Sequence, residues 1–319
     1  MDATLPGPAA FLHVSGPMPD ALRGCVVAIG NFDGVHRGHR AVILHAQEKA
    51  RALGKPCAVL TFEPHPSDFF ARESVIFRLT PEEAKATALE RLGLQGMIVL
   101  RFDAALAGLS AEDFVTGILV GYLDVSAVVA GYDFHFGKAR AGTPAFLQSA
   151  GKAHGFDVEI VERIAYDSDG SLAAVSSTAT REALERGDVA GARALLGHDW
   201  FIRGEVIHGR KLGRTLGFPT ANIALDPSCR LRPGIYAVRV AVEGRRFGGV
   251  ASYGHRPTFD DGAALLETML FDFDGDLYGK VLEVAFVEWI RPELKFDGVE
   301  ALVARMAVDA AEARRVLAG

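Results

Sequence analysis

The stretch VVAIGNFDGVHRGHRAVI, Val26–Ile43, decides the fold of this chain. An apolar run ends in Gly30, a short loop "NFDG" follows, and His36 and His39 stand three apart where an amphipathic stretch begins. Beyond them His39, Val42 with Ile43, Ala46, Ala50 and Leu53 recur at steps of three and four, and Gly54 and Pro56 close the pattern. That spacing predicts a helix. The run Cys25–Gly30 predicts a buried strand. Strand, glycine, loop and helix start form the repeating unit of parallel α/β sheets, whose ligands bind outside the carboxyl ends of the strands.

The same alternation continues to about residue 163. "CAVLTF" (Cys57–Phe62), "MIVLRF" (Met97–Phe102), "SAVVAG" (Ser126–Gly131) and "DVEIVER" (Asp157–Arg163) read as further strands. Helices are predicted over about Pro81–Leu92, from Ser110 through "SAEDFVTGILVGYL", and from Thr143–Pro144 onward. The pattern changes near 184–200. "WFIRGEVIHG", "GIYAVRVAVEG", "RRFGGVASYG", "LLETMLFDFDGDLYG" and "KVLEVAFVEWI" are strand-like runs between Gly-, Pro- and Asp-rich turns, which predicts a small antiparallel barrel. An Ala-rich helix over Val299–Leu317 ends the chain, with Leu302, Arg305, Met306, Asp309 and Ala313 on one face. The expected architecture is therefore α/β, residues 1–186, followed by a β-barrel with a closing helix, residues 187–319.

Bulk composition narrows the function. Hydrophobic content of 49% and charged content of 23% over 319 residues describe a globular protein with material for two cores. A net charge of −6 argues against a general nucleic-acid or membrane-surface binder, while leaving room for a local anion site. The 3 cysteines, Cys25, Cys57 and Cys229, are far apart and odd in number, so a reducing compartment is expected. The N-terminal stretch lacks the basic start and apolar core of a signal peptide, and a cytoplasmic location is expected.

Chemistry points to two places. A helix N-terminus offers free N–H groups and partial positive charge, and so favours phosphate. His36 and His39 share one helix face at that end, and Gly38 leaves room for close approach. Surface histidines on an ordinary helix would also fit the spacing. The second place is "GEVIHGRKLGRTLGFPTANIAL" (Gly204–Leu225), dense in glycine and basic residues but without the spacing of a Walker loop. Thr220 and Asn222 alternate on an extended segment and face one side. Their oxygens are hard ligands, suited to a Mg²⁺ that keeps its waters. A flexible hairpin would explain the glycines equally.

These stretches carry a resemblance. "GNFDGVHRGH", "TFEPHP" (Thr61–Pro66), "GYDFHFGKARAG" (Gly131–Gly142) and "VSSTATREALERGD" (Val175–Asp188) are similar, in order, to the flavin adenylyltransferase branch of the nucleotidylyltransferases. The 204–225 segment, "GVASYGHRPTFDDG" (Gly249–Gly262) and "LLETMLFDFDGDLYG" (Leu265–Gly279) resemble riboflavin kinase. Together the chain resembles the bacterial bifunctional riboflavin kinase/FMN adenylyltransferases, or FAD synthetases, over nearly its whole length.

The resemblance implies roles. His36 and His39 contact ATP phosphates and stabilise the transition state, with Gly30, Asn31, Asp33 and Gly38 around the nucleotide. Ser176, Ser177, Thr178 and Arg181 form a second phosphate element, although an ordinary N-cap fits "SST" as well. Asp133 borders nucleotide and metal, or merely starts a turn. Phe62, His65 and Pro66 lie near the flavin, or form a stiff turn. In the barrel Gly209, Arg210, Lys211 and Gly213 cradle phosphates, while Thr220 and Asn222 hold the ATP-bound Mg²⁺. Glu267 is the implied general base, although an acid on an edge strand's solvent face would look the same. Ser252 stands where the family's motif more often has Asn.

The implied activities are riboflavin to FMN, then FMN to FAD, with ATP, riboflavin and FMN as partners and Mg²⁺ as cofactor. No nucleic-acid or membrane partner is expected, and self-association would be weak or transient. Three other readings share these features: an adenylyltransferase whose barrel is only a binding module, an aminoacyl-tRNA ligase, and a non-catalytic flavin- or nucleotide-binding regulator. The ligase should bring a lysine-rich second signature and a basic surface, and neither is present.

Overall fold

The computed structural model describes residues 10–162, 175–208, 220–255 and 264–319. The chain divides into two compact units, Met1–Ile76 with Lys85–Ala173, and Phe77–Ala84 with Ala174–Gly319.

In the first unit the chain runs β1 (Leu12–Val14), β2 (Val26–Ile29), α1 (Arg37–Leu53), β3 (Cys57–Glu63), α2 (Pro66–Ala71), α3 (Glu82–Glu90), β4 (Gly96–Arg101), α4 (Ala104–Gly108), α5 (Ala111–Asp113), β5 (Ala127–Gly131), α6 (Pro144–His154) and β6 (Asp157–Val161). The six strands form one parallel sheet in the order β1-β4-β3-β2-β5-β6. All four residues of β2 are buried, because a central parallel strand is covered on both faces; that is why it reads as an unbroken apolar run. Val27, Ile29, Leu60, Ile98, Val128, Phe114 and Leu147 build this core. Strand β2 lies between β3 and β5, so the chain winds away from it in opposite directions. The carboxyl ends of β2 and β5 therefore flank the topological switch point, where such sheets bind ligands.

Helix ends follow the expected chemistry. Gly54 closes α1 with a left-handed backbone, φ 62°. The Thr143 hydroxyl accepts from the Phe146 N–H at 3.1 Å, with Pro144 at the first helical position. Ser110 accepts from the Asp113 N–H at 3.0 Å. The helix it starts departs from expectation, since from Phe114 to Tyr122 it widens to π-helical winding. At Gly121 a side chain would come within 3.1 Å of the Thr116 carbonyl, so glycine accommodates the wider turn. Strand β1 and helix α2 are additions that sequence patterning did not anticipate; three and six residues are too few to show a period.

The second unit holds α7 (Ser177–Glu185), α8 (Val189–Leu196), β7 (Phe201–Ile207), β8 (Ala221–Ala224), β9 (Gly234–Val242), β10 (Arg245–His255), β11 (Ala264–Leu270), β12 (Val281–Arg291) and α9 (Val299–Ala318). The strands close into an antiparallel barrel in the order β10-β11-β8-β7-β12-β9. Trp200, Ile223, Tyr236, Val238, Leu266, Val284 and Phe286 belong to its core. The run read as one strand over 265–279 stops at Leu270. Beyond it Asp272 (φ 55°) and Gly279 (φ 72°) take left-handed conformations and turn the chain.

Helix α9 lies on the outside of the barrel, where Ala310 and Ala313 pack on Ala237, Met269 and Phe271. Arg291 Nε and Nη2 donate to the two Asp309 carboxylate oxygens at 2.8 and 2.5 Å, and Arg305 Nε adds a third bond at 3.0 Å. A bidentate buried pair fixes orientation more than it adds stability. The three cysteines are unbridged, and burial pushes the thiols of Cys25 and Cys57 up to about 12, so both are protonated at neutral pH. Among the described residues no helix is long and apolar enough to cross a membrane.

Candidate active sites

The loop between β2 and α1 places both histidines of the opening motif. Phe32 (φ 50°), Gly34 (φ 85°) and Val35 (φ 45°) are all left-handed. Such a conformation is an outlier for a β-branched residue and persists only where surroundings hold it. Phe32, Asp33 and Val35 are all buried. His36 then caps α1, its ring Nδ1 accepting the His39 N–H at 3.2 Å. An imidazole that accepts at Nδ1 carries its proton on Nε2. The cap therefore sets the tautomer of His36 and leaves an N–H donor at the far side of the ring.

The two rings stack, with centroids 3.5 Å apart and planes inclined by 15°. The edge of Phe32 meets His39 at 5.2 Å. Gly38 has a reason that spacing did not reveal. A Cβ there would lie 3.1 Å from His36 Cε1 and 3.2 Å from Nδ1, so the space it frees is filled by the histidine ring.

Around this loop the switch point gathers other expected residues. Gly30 directly follows β2, Gly131 ends the adjacent β5, and Asp133 stands exposed just past Gly131. A side chain at Gly30 would press on the Phe32 ring at 3.3 Å, and one at Gly131 on Asp133 Oδ1 at 3.1 Å. Asn31 continues from Gly30 into the loop, its carbonyl taken by Thr61 Oγ1 at 3.1 Å.

At the carboxyl end of β3, Phe62 is buried in the core, so little of its ring faces outward. His65 caps α2 by accepting the Ser67 N–H at 3.2 Å, and Pro66 opens that helix. The exposed aromatic surface here comes from residues that sequence reading passed over. Phe102 lies 5.3 Å from Phe69 and 5.8 Å from Phe70, edge to face, and Phe70 is 68% exposed. No local pattern marked this surface, because Phe102 meets Phe69 and Phe70 only through the fold.

The serine-rich turn belongs to the second unit. Ser176 caps α7, its hydroxyl accepting the Ala179 N–H at 3.1 Å. The cap reading is thus realised at Ser176. Ser177 and Thr178 occupy the first two helical positions, where backbone N–H groups lack helical partners. Arg181 Nε donates to the Phe77 carbonyl at 2.7 Å.

In the barrel, Asn222, Glu267 and Ser252 sit directly opposite one another on β8, β11 and β10. Their neighbours Ala221, Ile223, Leu266, Ala251 and Tyr253 are buried in the core, so by strand alternation this polar row faces outward. Val250 and Met269, on the same outer face, belong to the cluster packed with α9. Opposed side chains in such pairs have Cβ atoms about 4.5–5.5 Å apart. Strand β11 pairs on both sides within a closed barrel, which removes the edge-strand explanation of Glu267. Thr220 is half-buried, two residues before Asn222. Gly209, Arg210, Lys211 and Gly213 lie outside the described residues. Among the described residues no cluster of His, Cys, Asp and Glu has the makings of a protein-only metal site.

Comparison with known proteins adds to this geometry. A family model for FAD synthetase matches residues 18–179, and one for riboflavin kinase matches 196–317. The chain is 44% identical over 297 residues to a bifunctional riboflavin kinase/FMN adenylyltransferase of Pseudomonas fluorescens, covering 93% of this chain and 94% of that one. It is 41% identical over 292 residues to the protein so named in Escherichia coli K12, covering 91% and 92%. With the protein so named in Bacillus subtilis 168 identity is 39% over 314 residues, covering 95% and 97%. A crystal structure described as a macrolide-efflux protein from Streptococcus pneumoniae superposes with a TM-score of 0.79 at 31% identity, covering 95% of this chain and 98% of that one.

Proposed function

The chain belongs to the family of bifunctional riboflavin kinase/FMN adenylyltransferases, and from that premise we propose how its residues divide the work. Riboflavin and ATP give FMN and ADP; FMN and a second ATP give FAD and pyrophosphate. Residues 1–186 carry the adenylyl transfer and 187–319 the phosphorylation. ATP, riboflavin and FMN are the partners, and the cytoplasm is the location.

One observation carries the adenylyl site: two stacked imidazoles at a helix N-terminus, beside the switch point of the sheet. An FMN phosphate oxygen attacks the α-phosphorus of ATP in line, and pyrophosphate leaves without a covalent enzyme intermediate. Charge grows on the phosphoryl oxygens, and donors already aimed at them lower the barrier. His36 offers its Nε2–H, and His39 stands beside it on the same helix face. Asn31, Asp33 and Asp133 border the nucleotide. Ser176, Ser177, Thr178 and Arg181, the second phosphate element that the resemblance implies, offer hydroxyls, helix N–H groups and a guanidinium. The isoalloxazine rests against the aromatic surface of Phe69, Phe70 and Phe102, with Phe62 beneath and His65 and Pro66 alongside.

Phosphorylation takes place on the outward row of the barrel. Glu267 accepts the proton of the ribityl 5′-hydroxyl as that oxygen attacks the γ-phosphorus. Gly209, Arg210, Lys211 and Gly213 receive the phosphates. Asn222, buried to 7% exposure on the outward face, and Thr220 offer an amide and a hydroxyl oxygen, which fit a hard cation that keeps its waters. A Mg²⁺ held there with ATP would draw charge from the phosphates.

The test is a single incubation with riboflavin, ATP and Mg²⁺ followed by separation of the flavins. Both FMN and FAD are expected; formation of FMN alone, or of neither, would refute the assignment. Gly38→Ala gives a sharper probe of the first site. Its Cβ displaces the His36 ring, so FMN adenylylation should fall about tenfold or more, in the range of lost phosphoryl-site donors. The displaced ring also caps α1, so FAD formation is compared at a temperature where the variant's melting profile shows it folded. Unchanged FAD formation would show that the His36 position is unimportant.

A further inference from the structure

Lys85 is buried, with its side chain only 1% exposed, and its ammonium lies 2.8 Å from Glu63 Oε1 and 3.2 Å from Thr61 Oγ1. Replacing such a pair by apolar residues is often neutral or stabilising, so its stability contribution does not explain its presence. Direction does. An ammonium only donates, so the Thr61 oxygen accepts from Lys85, and its own proton turns to the Asn31 carbonyl at 3.1 Å. Asn31 is the last residue before the loop Phe32–Val35, three of whose residues (Phe32, Gly34 and Val35) are left-handed, that delivers His36 and His39. The backbone ladder between β2 and β3 carries Gly30 N–H to the Leu60 carbonyl, and the Thr61 hydroxyl extends the hold one residue further.

We propose that Lys85, Glu63 and Thr61 form a buried relay that clamps Asn31 and so positions the histidine loop for adenylyl transfer. Thr61 is fully buried and does not meet substrate, so it is a positioning residue. The inference rests on the reading that His36 and His39 serve that reaction. Loss of the relay lets the loop relax from its strained conformation and misaims the donors, and small misplacements of this kind reduce turnover more than ground-state binding.

The experiment uses the intact protein and compares Thr61→Val, Thr61→Ser and the double variant Lys85→Met/Glu63→Met. FMN adenylylation is followed at varied FMN and ATP, the melting profile of each variant reports folding of the first unit, and riboflavin phosphorylation, housed in the other unit, normalises the amount of protein. Thr61→Val is expected to lower kcat about tenfold with KM changed less than about threefold, while Thr61→Ser restores kcat. The double variant, which replaces the buried pair by apolar side chains, should repeat the kcat loss with phosphorylation intact. A normal kcat in Thr61→Val or in the double variant overturns the relay. So does a Thr61→Ser variant as slow as Thr61→Val, which would assign the effect to the methyl group. Full adenylylation in His39→Ala would instead sink the underlying reading of the histidines.

Discussion

His39→Ala is expected to lower the turnover of FMN to FAD by about 10²- to 10³-fold, the usual effect of removing one aimed donor from a site of developing negative charge. Riboflavin phosphorylation should stay within about twofold, because His39 and Glu267 belong to different units. In a coupled incubation the variant therefore accumulates FMN, visible as a flavin peak that does not advance to FAD. His36 needs a different substitution, since its ring also caps α1. His36→Asn retains a good capping side chain while removing the Nε2–H. It should keep the melting temperature and lose FAD formation. If either variant made FAD at the normal rate, the stacked pair would be a structural cap and nothing more.

Glu267→Gln should abolish the opposite step. Loss of a positioned general base lowers turnover by about 10²- to 10⁴-fold, and glutamine preserves the size and most of the packing of the side chain. Riboflavin is then left unconsumed, while added FMN is still converted to FAD. The outward row supplies the internal comparison. Ser252 lies directly across from Glu267, yet it is on the opposite side from Asn222. Ser252→Ala should therefore lower phosphorylation far less than Glu267→Gln. Equal losses would mean that the row as a surface, rather than the carboxylate as a base, is what matters.

The α/β character of the first unit was legible because burial on both faces leaves its central strands β2 and β5 no polar positions. Val26–Ile29 and Ala127–Ala130 could hardly be anything but central strands once helices alternated with them. Capping residues announced themselves for the same local reason, as at Thr143 and Gly54. Where structure depends on neighbours far along the chain, the sequence was silent. Strand β1 exists because Leu12–Val14 finds the edge of β4, and its three residues show no pattern of their own. The aromatic surface of Phe69, Phe70 and Phe102 joins two segments more than thirty positions apart.

By itself the sequence determined the two classes of unit and the helix start at His36–His39. Each of these is set by interactions within a few residues: period, cap and turn chemistry. Only the tertiary structure decided what those residues face. It brought Glu267 between Asn222 and Ser252 by strand register, filled the space at Gly38 with a histidine ring, and ran Lys85 through Thr61 to Asn31. Register, ring stacking and buried polar relays join segments distant in the chain, and their energies depend on desolvation and geometry that exist only once the core has closed.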